Sequence, residues 1–258
     1  MISRPRNMGR IPVSREYTTD PLAVLRVSDT LNQVAMKLGD IGMVVRPGQS
    51  IERAIINLGV DGGRILLSEG TYPIEATITV DRPNVSIVAM SPHRTLIKRT
   101  ITTSSPLIQV TSDYAMISGI RFDDANATGA AVKITGNYGS VSGCRFDDVY
   151  KAVEITGSWC RVSDNLVIAS DSYPVHLTSS SANTQVTGNR IVPVTALAVY
   201  VEGSTPKAVI TGNVFDMTDG NGTASYSSAG SAENYVARGN AAGAEDASNI
   251  AAAYNRRP

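Results

Sequence analysis

Apolar and polar residues alternate in short bursts along this chain, and the bursts recur in step. Ile108-Gln109-Val110, Val132-Lys133-Ile134, Val153-Glu154-Ile155, Val175-His176-Leu177 and Val199-Tyr200-Val201 each read apolar, polar, apolar. Alternation with a period of two predicts strands with one buried face. A second phrase keeps pace with the first. It reads Ile117-Ser118-Gly119-Ile120, Val141-Ser142-Gly143-Cys144, Val162-Ser163-Asp164-Asn165, Val186-Thr187-Gly188-Asn189 and Ile210-Thr211-Gly212-Asn213, with a degraded copy at Ala237-Arg238-Gly239-Asn240. Successive copies are offset by 24, 21, 24, 24 and 27 residues. Third short strands follow this phrase, as in Arg121-Phe122, Arg145-Phe146, Arg190-Ile191 and Val214-Phe215.

Three short strands per repeat, held in register, predict an all-β coil that stacks on its own copies. No coil buries its apolar face alone, so neighbours must stack to make a continuous core. The rival leucine-rich repeat needs a Leu-x-x-Leu-x-Leu spacing that is absent. Five or six coils are clear. Asn165, Asn189, Asn213 and Asn240 fall at one turn, where an asparagine tolerates left-handed backbone and its amide can bond its copy in the next coil. A structural asparagine ladder is the expectation there, against a polar binding strip.

Ahead of the repeats, Gln49-Ser50-Ile51-Glu52-Arg53-Ala54-Ile55 precedes Gly62-Gly63-Arg64-Ile65-Leu66-Leu67 and Gly70-Thr71-Tyr72. Ile51, Ala54, Ile55 and Leu58 lie at helical spacing, so a short helix can cover the open end of the stack. With these features the chain resembles the pectin-lyase-like superfamily, which includes phage tailspikes and related virion proteins. The resemblance spans about residues 44–240. It implies a single-stranded right-handed parallel β-helix, with a short N-terminal helix and an extended basic arm. It says little about chemistry, because one fold hosts many functions.

Charge narrows the partners. Lys plus Arg and Asp plus Glu number 23 each, so no net field steers the chain toward nucleic acid or an acidic membrane. No apolar run reaches membrane-spanning length, and neither membrane insertion nor a cofactor is expected. The two cysteines, Cys144 and Cys160, provide no disulfide framework and are expected to be free buried thiols. Met1-Ile2-Ser3-Arg4-Pro5-Arg6 lacks the apolar core of a secretory signal, which predicts folding in a cytoplasm, including that of an infected host.

Four segments emerge: an arm over 1–20, a helix and linker over 21–43, the β-helix over 44–240, and a cap or tail over 241–258. The arm carries Arg4, Arg6, Arg10 and Arg15 with almost no apolar periodicity; it is either disordered or ordered against a partner. Asp20-Pro21 then reads as a helix start. Val24, Val27, Leu31, Val34 and Leu38 follow at spacings of 3, 4, 3 and 4, an a/d seam barely two heptads long. An amphipathic helix packed on the rod accounts for the same pattern. Arm, seam and β-helix match the layout of a homotrimeric virion spike whose residues 1–20 engage other virion proteins.

Candidate chemistry sits on the outer faces. In the superfamily that this chain resembles, catalysis uses the outer face of the first sheet and the turns beside it. Here that face carries Gln109, Lys133, Glu154, His176 and Tyr200. Glu154 and His176 are a candidate acid–base pair. Asp123 and Asp147 occupy equivalent positions after the third strand, and adjacent coils would hold their carboxyls about 5 Å apart, as in retaining glycosidases, or around Ca²⁺. Arg121 and Arg145, two residues earlier, can neutralise them, and a solvated charge ladder is the plainer expectation; no metal site is assigned. The Gly-His-Gly and Arg-Ile-Lys strings of polygalacturonase-like members are absent, and the coils are too short to wall a cleft. Tyr114, Tyr138 and Trp159 stack on one turn as candidate ligand-binding residues, for a sugar or a protein, or as plain stiffening of the turn. Three functions follow: a structural virion component with a host surface glycan as a candidate partner, a polysaccharide lyase or glycoside hydrolase, or a carbohydrate-binding module.

Overall fold

The computed structural model describes residues 42–125, 127–192, 198–202, 208–215, 226–228, 235–238 and 241–242. The arm, the Val24 to Leu38 seam, Asn240 and the tail from 243 onward lie outside the described residues. What is described belongs to the compact unit that begins at Gly42.

Three parallel sheets wind around one core, each taking one strand from every coil. The apolar–polar–apolar strands form sheet 1, with seven strands among the described residues; the glycine-phrase strands form sheet 2, with nine; the third strands form sheet 3, with eight. Register follows the sequence repeats. Ile117, Val141, Val162, Val186, Ile210 and Ala237 align across sheet 2. Ile108, Val132, Val153, Val175 and Val199 align across sheet 1. Phe122, Phe146, Val167, Ile191 and Phe215 align across sheet 3. Apart from Ala237, of which only the backbone pairing is described, these side chains point inward and are fully buried, and Phe122 stacks on Phe146 at 5.0 Å between ring centroids.

The stack holds more coils than the five or six legible in the repeats. Strands Gly63–Leu67 and Val85–Ala89 extend sheet 2 ahead of the first glycine phrase. The second of these runs into Ala89-Met90, so the signature glycine is missing, and left-handed backbone in the turn that follows falls instead on His93 (φ 62). At the far end, Ala241–Ala242 pair with Val214–Phe215, so sheet 3 continues into residues that the sequence placed in the tail.

At the near end, helix α1 (Ile51–Asn57) buries Ile51, Ala54 and Ile55 against strands Met43–Val45 and Ile78–Val80. Ser50 caps it, its hydroxyl accepting from Arg53 N at 3.0 Å. The following Gly62 must be glycine: it sits at φ 85, and a Cβ there would fall 1.9 Å from the Pro83 carbonyl oxygen.

The asparagines sit differently from expectation. Left-handed backbone belongs to the preceding residue, Asp164 (φ 59), Gly188 (φ 68) or Gly212 (φ 64), and none of the three asparagines has positive φ. That turn directs Asn165, Asn189 and Asn213 into the core, where each is buried. Asn165 Nδ2 donates to Asn189 Oδ1 and Asn189 Nδ2 to Asn213 Oδ1, both at 2.9 Å. The same Oδ1 atoms accept from the backbone N–H of the asparagine one coil earlier, at 3.0 and 2.9 Å. Each amide thus satisfies a buried turn that strand pairing leaves open. Cys144 holds the equivalent position and donates its N–H to Asn165 Oδ1 at 2.9 Å.

Asn189→Leu should therefore destabilise the fold by about 1–3 kcal/mol, because it orphans buried donors and acceptors on both sides. Denaturant unfolding of the two proteins measures this, and equal midpoints would remove the ladder from the account of stability.

Candidate functional site

On the outer face of sheet 1, Gln109, Lys133, Glu154, His176 and Tyr200 line up one per coil. Glu154 is clamped from three sides. Lys133 Nζ lies 2.7 Å from its Oε1, Lys151 Nζ 2.8 Å from Oε2, and His176 Nδ1 3.6 Å from Oε2. His176 foremost, then Lys133 and Lys151, hold this carboxyl far below the usual carboxylate range, against the opposing effect of burial. His176 Nδ1 also lies 3.4 Å from Lys151 Nζ. A neutral ring accepts there, whereas a protonated ring donates to Glu154. Tyr173 and Tyr200 stack at 4.5 Å, with the His176 ring 5.9 and 5.3 Å from them.

Lys151 and Tyr173 escaped the sequence pattern, and Lys151 for a definite reason. Both Ala152 N and Val153 N donate to the Pro174 carbonyl, and both side chains are buried. This local bulge breaks the alternation and brings Lys151 onto the face of Glu154. Simple period-two reading places residues 151 and 154 on opposite faces.

On sheet 3, Asp123 and Asp147 are register partners, as are Arg121 and Arg145. The expected arginines neutralise Asp147, whereas Asp123 takes a different partner. Lys98 Nζ, one coil back, pairs with Asp123 at 2.8 Å. Asp147 takes both arginines, Arg121 Nε at 2.5 Å and Arg145 Nε at 2.9 Å. Neighbouring Asp124 and Asp148 diverge completely. Asp148 adopts positive φ (49) at the surface, whereas Asp124 is buried and ion-paired with buried Arg99. Burial pushes the Asp124 carboxyl up while Arg99 opposes the rise. Arg99 also donates to the Ser105 carbonyl at 2.9 Å, tying the turn after sheet 3. Arg99 sits on an inward position of its strand, which marks it in the sequence only by breaking an apolar series.

The aromatic turn is strained. Tyr114 (φ 59), Tyr138 (φ 57) and Trp159 (φ 61) all have left-handed backbone, which bulky residues rarely adopt. Asn84 and Asn183 occupy the same turn position in the flanking coils, also left-handed. Tyr114 and Tyr138 stack at 4.7 Å and 4°, and Tyr138 and Trp159 at 6.3 Å and 15°. All three stay exposed, at 55%, 46% and 56%. Beside the rings runs a polar row: Asn137 N donates to Asp113 Oδ1 at 2.7 Å, and Ser158 N to Asn137 Oδ1 at 3.0 Å. Cys144 and Cys160 are free and buried, and burial pushes their thiols up to about 12 and about 11.

Chemically, these faces are ladders of compensated charge. A carboxylate that stays ionised across the neutral range, as Glu154 does, has no proton to give and is a poor acceptor of one. A concavity of about 450 Å³ lies at the capped end, lined by Gln49, Glu52, Pro73 and Glu75 among others, and none of the candidate residues borders it. No helix among the described residues is long and apolar enough to cross a membrane.

Because the folded-state pKa of Glu154 is depressed, its stabilising contribution is present above the unfolded value of about 4.3 and fades as pH falls below it. Glu154→Gln should be less stable at neutral pH and lose less stability between pH 5 and pH 2 (roughly the window set by that value). Thermal midpoints across pH test this. Parallel pH profiles for the two proteins would show that the clamp contributes nothing to folding.

The family described as the right handed beta helix region matches residues 77–242. An alginate lyase from Paenibacillus sp. str. FPU-7 superimposes with a TM-score of 0.55 at 12% identity, over 79% of this chain and 96% of the lyase. The ORF18 protein of Geobacillus virus E2 gives a TM-score of 0.49 at 15% identity, over 87% of this chain and 63% of that one. A pectin methylesterase solved in complex with a hexasaccharide gives 0.43 at 12% identity, over 83% of this chain and 95% of that one. No curated protein sequence matches the chain. At such identities the likeness to the lyase is one of fold alone.

Proposed function

The chain belongs to the right-handed β-helix family, and from that premise we propose that it acts without catalysis, as a structural component of a bacteriophage particle that recognises a host surface glycan. The observation that carries the non-catalytic reading is the pairing of every candidate carboxylate. Asp123 is held by Lys98, Asp147 by Arg121 and Arg145, and Glu154 by Lys133 and Lys151. A general acid needs a raised pKa and a proton to release; Glu154 is shifted the opposite way. Support for the particle comes from the order of segments in the sequence, a basic arm, a short a/d seam and then the β-helix. In this reading residues 1–20 attach to other virion proteins, three chains associate laterally, and the seam sets their register. The chain then resides in the virion, as a spike, fibre or decoration protein.

Light scattering of the full chain at micromolar concentration should give a trimer mass, and a monomer mass would end this proposal. Leu31→Asp should weaken the trimer by placing three charges in one layer. Removal of residues 1–20 should leave the trimer intact and abolish attachment to particles.

One observation favours a second reading, a polysaccharide lyase or glycoside hydrolase. Tyr173, His176, Tyr200 and Lys151 gather around Glu154, an assembly of proton-transfer groups on the face where such chemistry needs them. Acidic polysaccharides incubated with the protein should release neither reducing ends nor unsaturated products. Turnover that disappears in His176→Ala or Asp147→Asn would establish the enzyme instead.

A further inference from the structure

The aromatic stack has two ends, and they differ. Within the stack each ring covers its neighbour, so the inner faces of Tyr114, Tyr138 and Trp159 are occupied. Only the terminal faces remain available. Beyond Trp159 the next coil places Asn183 at the equivalent turn, and beyond Tyr114 the previous coil places Asn84. Neither asparagine extends the stack with a ring. At the Trp159 end, sheet 2 register sets exposed Arg161 beside exposed Gln185, two residues after Trp159 and Asn183 respectively. At the Tyr114 end the corresponding pair is Ser86 and Met116, which provides far fewer donors.

We propose that the uncovered indole face of Trp159, bordered by Asn183, Arg161 and Gln185, binds a pyranose ring of a neutral polysaccharide. The ring takes the place of the next aromatic rung. An indole face is electron-rich and attracts the C–H face of a sugar, while the amide and guanidinium groups around it suit hydroxyls. The backbone strengthens the inference. Three bulky residues in left-handed conformation cost about 1–3 kcal/mol each, where asparagine, which the flanking coils use, tolerates the turn far better. Stacking between rings recovers part of that cost, yet leaves the Trp159 indole more than half exposed. Retention of so much strain for an exposed indole points to a ligand rather than to folding.

This deepens the glycan-recognition element of the function proposed above, and it fails or stands separately from trimer assembly and particle attachment. Trp159 is the only tryptophan in the chain, so emission excited beyond the absorption band of the ten tyrosines reports on this indole alone. Titration of the full-length protein with gluco-, galacto- and manno-configured neutral hexasaccharides should give a saturable change in emission with at least one of them. Asn183→Tyr should extend the stack over Trp159 and weaken binding roughly tenfold or more, while leaving the circular dichroism spectrum intact and lowering the thermal midpoint only as far as one more bulky left-handed residue requires. Trp159→Ala, followed by calorimetry because the fluorophore is gone, should lose binding to a similar degree. Three outcomes overturn the assignment: no response to any neutral hexasaccharide, undiminished binding by a folded Asn183→Tyr, or emission that shifts with protein concentration and not with sugar. The last would show a second copy of the chain seated on the indole. A trimer that attaches to particles but shows no sugar response would reject this site without touching the structural role.

Discussion

Everything in this protein depends on parallel backbone pairing between successive coils. Each coil rises by one strand spacing, about 4.8 Å, so a residue meets its own repeat directly above and below. The pairing closes every coil onto the next and completes a core that no coil could make alone. It also imposes a strict rule of like on like. Phe122 meets Phe146, Tyr114 meets Tyr138, and Asn165 meets Asn189.

That rule rewards some side chains and penalises others. Asparagine gains from it, because one amide both donates and accepts, so a file of identical residues saturates itself inside the core. Aromatic rings gain by stacking. Like charges suffer, and the outer faces show two remedies. Sheet 1 alternates sign along the file, Lys133 against Glu154. Sheet 3 sets like beside like, Arg121 over Arg145 and Asp123 over Asp147; there Arg121 reaches diagonally up to Asp147, while Asp123 pairs with Lys98, its direct register partner one coil back. Both remedies leave the carboxylates of these faces ion-paired, a direct consequence of stacking each residue on its own repeat.

Departures from the rule are where chemically distinct surface groups gather. The bulge at Ala152-Val153 turns Lys151 outward and builds a mixed cluster with Glu154, His176 and Tyr173. The stacked rings end at asparagine on both sides, which converts a repetitive file into a finite one with a free face. A repeat protein gains a distinct address along its length only through such interruptions.

Sequence alone determined the coil, because the same alternation and the same glycine or asparagine recur at fixed offsets, and parallel pairing demands nothing more. The files Gln109 to Tyr200, Asp123 with Asp147, and Tyr114 to Trp159 were legible for the same reason: alignment of repeats is alignment in space. Alignment does not reveal which way the backbone bends between strands. Only the tertiary structure decided that left-handed backbone falls on Asp164, Gly188 and Gly212 and turns the asparagines inward. It likewise decided that Asp124, alone of the four aspartates, is buried against Arg99. The coils before Met116 were obscured because Ala89-Met90 stands where glycine marks the later turns. Ion partners were hidden too: Lys98 stands in register with Asp123 but in a coil that lacks the marker glycine, and Lys151 reaches Glu154 only through a local bulge that no period records.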